Sequence, residues 1–322
     1  MTDTTSSAHE KLTLRVQSIT YAAKDTYLVE LTDPQGTPLP SVTPGSHIDL
    51  HLGNGITRSY SLVQSGDDPA SYVVGVKLDA KSRGGSRYVH EQLRVGSLLP
   101  VSMPRNHFPL HEDAAHTVLI AGGIGITPIW CMAQRLAAIG ASWELWYSVR
   151  SRADLAFVPL LEAMGARVHL HVDEEAGKIL DLPAIVAAAP TDTHFYCCGP
   201  TPMLDAYEAA AAARFPSEQI HLERFAAKQA ASVDGGFVIS LARSCRDLVV
   251  PQGASVLKVL LDNGIEVDSS CQEGICGCCE VAVLEGEVDH RDAILTEAER
   301  AANKTMMVCC SGAKCSRLVL DL

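Results

Sequence analysis

Seven of the eleven cysteines fall between Cys271 and the end of the sequence, and Cys271, Cys276, Cys279 and Cys309 are spaced C-x4-C-x2-C-x29-C. The first three follow the spacing that holds plant-type [2Fe–2S] centres. Two sulfide-bridged irons need four thiolates converging on one small body, so a short loop supplies three and a distant segment the fourth. Gly274 and Gly277 lie between these ligands, where a missing side chain lets backbone N–H groups approach the sulfurs and help set the potential. Zinc also takes four cysteines, but structural zinc usually uses two separated pairs rather than three ligands from one loop. Cys278 sits inside the two-residue gap and Cys310 adjoins Cys309. In an extended segment neighbouring side chains face opposite ways, so only one of Cys309 and Cys310 can face the cluster. We take Cys309 as the ligand, and Cys278, Cys310 and Cys315 as non-ligands. Cys131 and Cys245 read as small core residues.

Other residues could hold phosphates. Arg58-Ser59-Tyr60-Ser61 places a guanidinium, an aromatic ring and two hydroxyls at one strand end. Gly84-Gly85-Ser86 then opens a helix expected over 87–93, where free N–H groups and a positive dipole end can meet a phosphate. Arg58 could add a charge-assisted bond to it. Further on, an apolar strand runs into Gly122-Gly123-Ile-Gly125-Ile-Thr127-Pro128. A glycine turn between strand and helix lets a pyrophosphate lie on backbone amides. Pro128 replaces the third glycine of the usual dinucleotide fingerprint and suits a first helical turn. A second turn, Cys197-Cys198-Gly199-Pro200, also ends a strand and precedes a helix. Plain structural punctuation is the alternative for each turn alone. Their parallel placement points to a ligand crevice.

The elements that position these groups fall into three segments. Short alternating runs at 11–20, 26–31, 47–52, 72–78 and 96–103 predict a small antiparallel β-barrel. From residue 112, strands at 117–121, Trp143–Val149, 167–172 and 194–197 alternate with helices at 128–139 and 202–215, which predicts a parallel sheet. A small-residue linker at 226–235 leads to a pair of strands, a helix at 255–263 and the cysteine cluster. The expected organisation is therefore multidomain: an antiparallel β-barrel domain for a phosphate-bearing planar cofactor (1–111), an α/β parallel-sheet nucleotide-binding domain (112–229) and an α+β plant-type ferredoxin domain (230–322). The net charge of −12 argues against nucleic-acid or anionic-membrane binding. No apolar run is long enough to span a bilayer, and residues 1–10 lack the basic and apolar regions of a secretory signal, so a cytoplasmic monomer is expected. The twelve histidines show no ligand spacing and none is taken as catalytic.

Together these motifs resemble the phthalate dioxygenase reductase and vanillate O-demethylase reductase family over nearly the whole length. The run Asp289-His-Arg-Asp292, Met307-Val-Cys-Cys-Ser311 and the closing Leu318-Val-Leu-Asp-Leu322 fit the same family. The resemblance implies FMN, held by Arg58, Ser59, Tyr60, Ser61, Gly84, Gly85 and Ser86 with Val76 and Lys77 on a neighbouring strand. It implies NADH, with Gly122, Gly123, Gly125, Pro128, Cys198, Gly199 and Pro200 lining the nucleotide crevice. Thr127 and Phe225 would lie at the flavin–nicotinamide contact. Electrons would pass from NADH through FMN to the [2Fe–2S] centre, and then to a separate Rieske-type oxygenase. This sequence departs from similar ones in carrying Cys278 and Cys310. Arg150 and Arg152 follow the second parallel strand, where a 2′-phosphate could bind, which keeps NADPH open. Two other functions remain: a reductase serving a ferredoxin, a haem protein or a small molecule, and a non-enzymatic redox sensor with a cysteine-rich tail.

Overall fold

The computed structural model describes residues 11–80, 82–226 and 229–322. Residues 1–10, read above for a leader, and part of the 226–235 linker lie outside them. The chain divides into two compact units, one ending at Arg224 and the other running from Phe225 to Leu322.

The first unit opens with β1 (Lys11–Ala23), β2 (Thr26–Thr32), β3 (Ser46–His51), β4 (Thr57–Ser61), β5 (Tyr72–Lys77), helix α1 (Gly85–Glu91), β6 (Leu98–Ser102) and the short β7 (Arg105–Asn106). The strands pair in the order β4-β3-β6-β1-β2-β5, with β7 on β3, and every pairing is antiparallel. A bridge between Leu62 and Val74 joins the two ends of that order, closing the sheet into a barrel. Alternation builds its core: Leu14 and Val16 on β1, Val29 and Leu31 on β2, and Val74 and Val76 on β5 point inward two residues apart.

A parallel sheet follows. Its chain order is β8 (His116–Gly122), α2 (Ile126–Ala138), β9 (Trp143–Val149), α3 (Val158–Ala163), β10 (Val168–Val172), α4 (Asp173–Ala176), α5 (Leu182–Ala188), β11 (Thr193–Cys198), α6 (Thr201–Ala212) and β12 (Ile220–Glu223). The strand order is β10-β9-β8-β11-β12. The chain therefore winds outward from β8 in one direction and then returns to β8's other side with β11. Such a switch point leaves a crevice beyond the strand C-terminal ends, between β8 and β11. Strands β8, β9 and β11 are apolar almost throughout because helices cover both faces.

The second unit contains β13 (Phe237–Leu241), β14 (Arg246–Val250), α7 (Val256–Asp262), β15 (Glu280–Glu285), β16 (Val288–Asp289), α8 (Glu297–Ala302), β17 (Thr305–Met307), β18 (Gly312–Ala313) and β19 (Arg317–Leu320). Its main sheet runs β14-β13-β19-β15-β17, mixing one parallel pairing with antiparallel ones. Ser255 caps α7 by accepting from Lys258 N, and the helix buries Val256, Leu257, Val259 and Leu260 in that unit's core. The long loop between α7 and β15 carries three of the four cysteines. No helix among the described residues is long and apolar enough to cross a membrane.

Candidate functional site

The barrel brings the arginine run and the glycine pair together. The stem of Arg58 lies over Gly85, where an added Cβ would fall 2.7 Å from Arg58 Cγ. Only glycine lets the guanidinium stem sit against the start of α1. Gly84 adopts φ +106°, a left-handed conformation that glycine reaches without strain. Ser86 Oγ accepts from Asp79 N at 3.1 Å and donates to Ser82 Oγ at 3.0 Å, so the serine is held at the turn. Tyr60 is half-buried, and burial pushes its hydroxyl up to about 12. The hydroxyl of Ser59 instead donates to the buried Asp49 at 2.6 Å, and Arg105 pairs with the same carboxylate. Lys77 Nζ lies 3.2 Å from Asp154 Oδ1, tying β5 to the loop after β9. Val76 buries its side chain in the barrel, while its carbonyl oxygen lies 3.0 Å from His90 Nε2.

The two glycine turns of the parallel sheet abut each other. A Cβ on Gly125 would fall 2.2 Å from the Cys198 carbonyl oxygen. One on Gly199 would fall 2.8 Å from Met203 Sδ and 3.1 Å from Gly122 Cα. One on Gly122 would meet Met203 and Pro200. These three glycines are required by turn-on-turn packing. Gly123 differs: φ is +54° and nothing lies within 4 Å of its Cβ position, so its face opens on free space where a pyrophosphate could approach. Thr127 is buried, its hydroxyl donating to Ile124 O at 3.0 Å. Its methyl packs so closely on β5 that a Cβ on Gly75 would lie 2.5 Å from it. Pro128 falls in the first turn of α2, where its missing N–H costs little, and Pro200 caps α6. Phe225, at the start of the second unit, is an exposed aromatic with 38% of its surface accessible.

A half-buried carboxyl that the sequence did not single out joins the two sheets of the first unit. Glu223, the last residue of β12, accepts from Ser61 Oγ at 3.3 Å and from Cys198 Sγ at 3.9 Å. Burial pushes its pKa from the ordinary carboxylate value up to about 8, against the lowering effect of the two donors. Burial and then the nearby Glu223 also push the Cys198 thiol well up. The shift favours the neutral, protonated form of Glu223 at neutral pH. Next to it, Arg224 is buried and pairs with Asp205 at 3.0 Å and Glu208 at 3.1 Å on α6, fixing the end of β12.

In the second unit Cys271, Cys276, Cys279 and Cys309 are only 4%, 2%, 2% and 5% exposed. Their thiols neighbour one another as two pairs, Cys271 with Cys276 and Cys279 with Cys309, and Cys271 acts on both members of the second pair. Two thiolates per iron is the donor set that a binuclear cluster needs. The neighbouring thiol and then burial push Cys271 and Cys279 well up, so a cation sharing their charge is required before all four ionise. Backbone N–H groups already reach the sulfurs: Cys271 N lies 3.5 Å from Cys276 Sγ, and Glu273 N lies 3.3 Å from Cys271 Sγ. Gly274 serves differently from the expectation. It takes φ +69°, and a Cβ there would lie 2.5 Å from Cys310 Sγ. The Asp289–Asp292 run braces this loop, since Ala293 N donates to Gly274 O at 2.8 Å and Asp292 Oδ2 accepts from Leu295 N at 2.8 Å.

The reason given above for choosing Cys309 over Cys310 needs correction. Residues 308–310 form a turn, not an extended segment, with Ser311 N donating to Met307 O at 2.9 Å. Within that turn Cys309 meets both Cys279 and Cys310, and Cys310 also donates to Met307 O at 3.7 Å. Cys278 is half-buried and donates to Cys276 O at 3.7 Å.

Comparison with known proteins agrees with this arrangement. Residues 240–314 match the 2Fe-2S iron-sulfur cluster binding domain family, which bears out the expected [2Fe–2S] centre over the zinc alternative. The chain is 51% identical to a phenoxybenzoate dioxygenase subunit beta from Ectopseudomonas oleovorans, over 97% of both chains. It is 51% identical to a tetrachlorobenzoquinone reductase from Sphingobium chlorophenolicum (96% of this chain, 97% of the relative). It is 41% identical to a vanillate O-demethylase oxidoreductase from Pseudomonas sp., over 95% of this chain and 98% of the relative. Among solved structures it superposes on phthalate dioxygenase reductase, described as modular for electron transfer from pyridine nucleotides to [2Fe–2S], with TM-score 0.74 and 37% identity over 97% and 98% of the two chains. It also matches an intact type IV self-sufficient cytochrome P450 monooxygenase, with TM-score 0.87 and 42% identity, spanning 97% of this chain but 41% of that one. The chain is thus an oxidoreductase of the phthalate dioxygenase reductase and vanillate O-demethylase reductase family, built for a flavin, a nicotinamide nucleotide and a [2Fe–2S] centre.

Proposed function

We propose that this protein is the NADH-oxidising reductase of a Rieske-type oxygenase system. The flavin would be FMN in segment 1–111, the nucleotide would bind in 112–229 and the cluster in 230–322. When bound, the flavin accepts electrons as a hydride pair and the [2Fe–2S] centre, near −400 mV in plant-type ferredoxins, releases them singly. The observation that carries the reading is the contact of Glu223 with both Ser61 and Cys198, because it links the end of the barrel's Arg58–Ser61 run to the second glycine turn.

The chain's own residues supply binding, orientation and proton control. Arg58, with Gly84, Gly85 and Ser86 at the start of α1, would hold the FMN phosphate, and Tyr60 and Ser61 would flank the ring. Gly123, opening on free space, would admit the dinucleotide pyrophosphate. Thr127, in the first turn of α2 and packed on β5, would set the spacing between ring and nicotinamide. Glu223, whose raised pKa favours the protonated form, would keep the pocket neutral where negative charge would oppose an incoming hydride. Cys271, Cys276, Cys279 and Cys309 would ligate the cluster.

Two measurements test this reading. The flavin released on denaturation should be FMN, and NADH oxidation should accelerate when a purified Rieske oxygenase and its substrate are added. Released FAD, or no acceleration by any Rieske oxygenase of the organism, would overturn it. The match to a self-sufficient cytochrome P450 favours a second reading, delivery to a haem protein. Faster NADH-dependent reduction of a haem monooxygenase than of a Rieske oxygenase would select that one.

A further inference from the structure

Resting on the nicotinamide reading above, we propose that Glu175 sets the preference for NADH over NADPH by occupying the guanidinium that would otherwise take a 2′-phosphate. The place is fixed by topology. Gly122, in the glycine turn, pairs with Ser148 on β9, and Val149 pairs with Val172 on β10. Successive strands lie about 5 Å apart, so the ends of β9 and β10 lie one and two strand spacings from the proposed pyrophosphate turn. A dinucleotide that starts at Gly123 can extend its adenosine ribose across them.

Two arginines follow β9, as a 2′-phosphate site requires, but β10 answers with three carboxylates. Asp173, Glu174 and Glu175 form the first turn of α4. Glu174 N donates to Arg150 O at 3.1 Å, which locks that turn to the β9 loop. Glu175 then takes Arg152 in a two-pronged ion pair: Nε to Oε1 at 2.7 Å and Nη2 to Oε2 at 2.7 Å. This geometry uses the guanidinium edge that recognises a phosphate bidentately. Asp173 accepts from Ser148 Oγ at 3.2 Å and lies 3.3 Å from His171 Nε2, so a second carboxylate is fixed alongside. A ribose with free hydroxyls can donate to these oxygens, whereas a 2′-phosphate meets negative charge. The ion pair is 68% and 51% exposed on its two sides, so the discrimination is graded rather than absolute.

Glu175→Gln keeps the side chain's size and releases Arg152. It should raise the ratio of kcat/KM for NADPH to that for NADH about threefold to tenfold, as one exposed repulsion is removed and one exposed ion pair becomes available. Calorimetry with 2′-phospho-AMP and with AMP reads the same preference without turnover, and the affinity ratio should move in the same direction. Adding Arg152→Gln to Glu175→Gln should return both ratios towards the wild-type values. A Glu175→Gln ratio within about twofold of wild type, or a gain left undiminished by loss of Arg152, overturns the assignment while leaving NADH use by the wild type intact. Failure of the wild-type protein to oxidise either nucleotide would overturn both readings.

Discussion

The neutral carboxyl at Glu223 makes the first unit's stability depend on pH in a way one substitution removes. Its pKa lies at about 8 in the fold, against an ordinary value of 4.5, because burial opposes its charge. The sign follows from linkage: a carboxyl whose folded pKa is raised contributes stability that is fully present below the unfolded pKa and is lost as pH rises through the folded pKa. Between pH 4.5 and about 8 the unfolded chain gives up the proton and the folded chain keeps it. At about 1.4 kcal/mol per unit, the loss across that window is roughly 5 kcal/mol. Glu223→Gln keeps a neutral side chain that still meets Ser61 Oγ, and it has no proton to lose. Thermal unfolding of the holoprotein and the variant from pH 5 to 9 should show Tm falling faster for wild type, by about 2–4 °C per kcal/mol for a unit of this size. Parallel Tm curves across the range would refute the buried neutral carboxyl.

Other changes reach the remaining sites. Cys279→Ser should lose or destabilise the cluster while Cys278→Ser keeps it, and equal iron content in the two variants would refute the ligand assignment. Arg58→Gln should weaken FMN binding about tenfold to a hundredfold through loss of a charge-assisted hydrogen bond, measured by flavin fluorescence on dilution. Gly125→Ala drives a methyl into the Cys198 carbonyl, so the nucleotide turns must shift. Its cost should be at least about 1–3 kcal/mol in denaturant unfolding, and an unchanged midpoint would contradict the packing given to Gly125.

Much of the fold is legible in the sequence because its periods are simple. The alternation that predicts the barrel is the same alternation that buries Leu14, Val16, Val29 and Leu31. The strand Trp143–Val149 is found with the bounds expected, since most of its run is apolar and buried. The helix Leu182–Ala188 and the strand Ile220–Glu223 were not anticipated. The helix is only seven residues long, and the strand is half-polar at the sheet edge, so neither carries a clear period. The candidate ligands Cys271, Cys276 and Cys279 were legible because their spacing is local. Glu223 was not, because its environment depends on Ser61, 162 residues away in sequence. Gly122, Gly125 and Gly199 were noticed as nucleotide glycines, yet contact between the two turns also demands them. Which of the turn glycines is left open to a ligand is visible only from the free space beside Gly123.

The central claim is that one chain takes electrons in pairs at a flavin and releases them singly at Cys271, Cys276, Cys279 and Cys309. Anaerobic addition of NADH, followed by visible absorbance and by electron paramagnetic resonance of frozen samples, tests it most directly in the wild type and in Cys279→Ser. The account predicts flavin bleaching in both proteins and a reduced [2Fe–2S] signal in the wild type alone. Flavin bleaching in the wild type with no cluster signal, or an undiminished signal in Cys279→Ser, would contradict it.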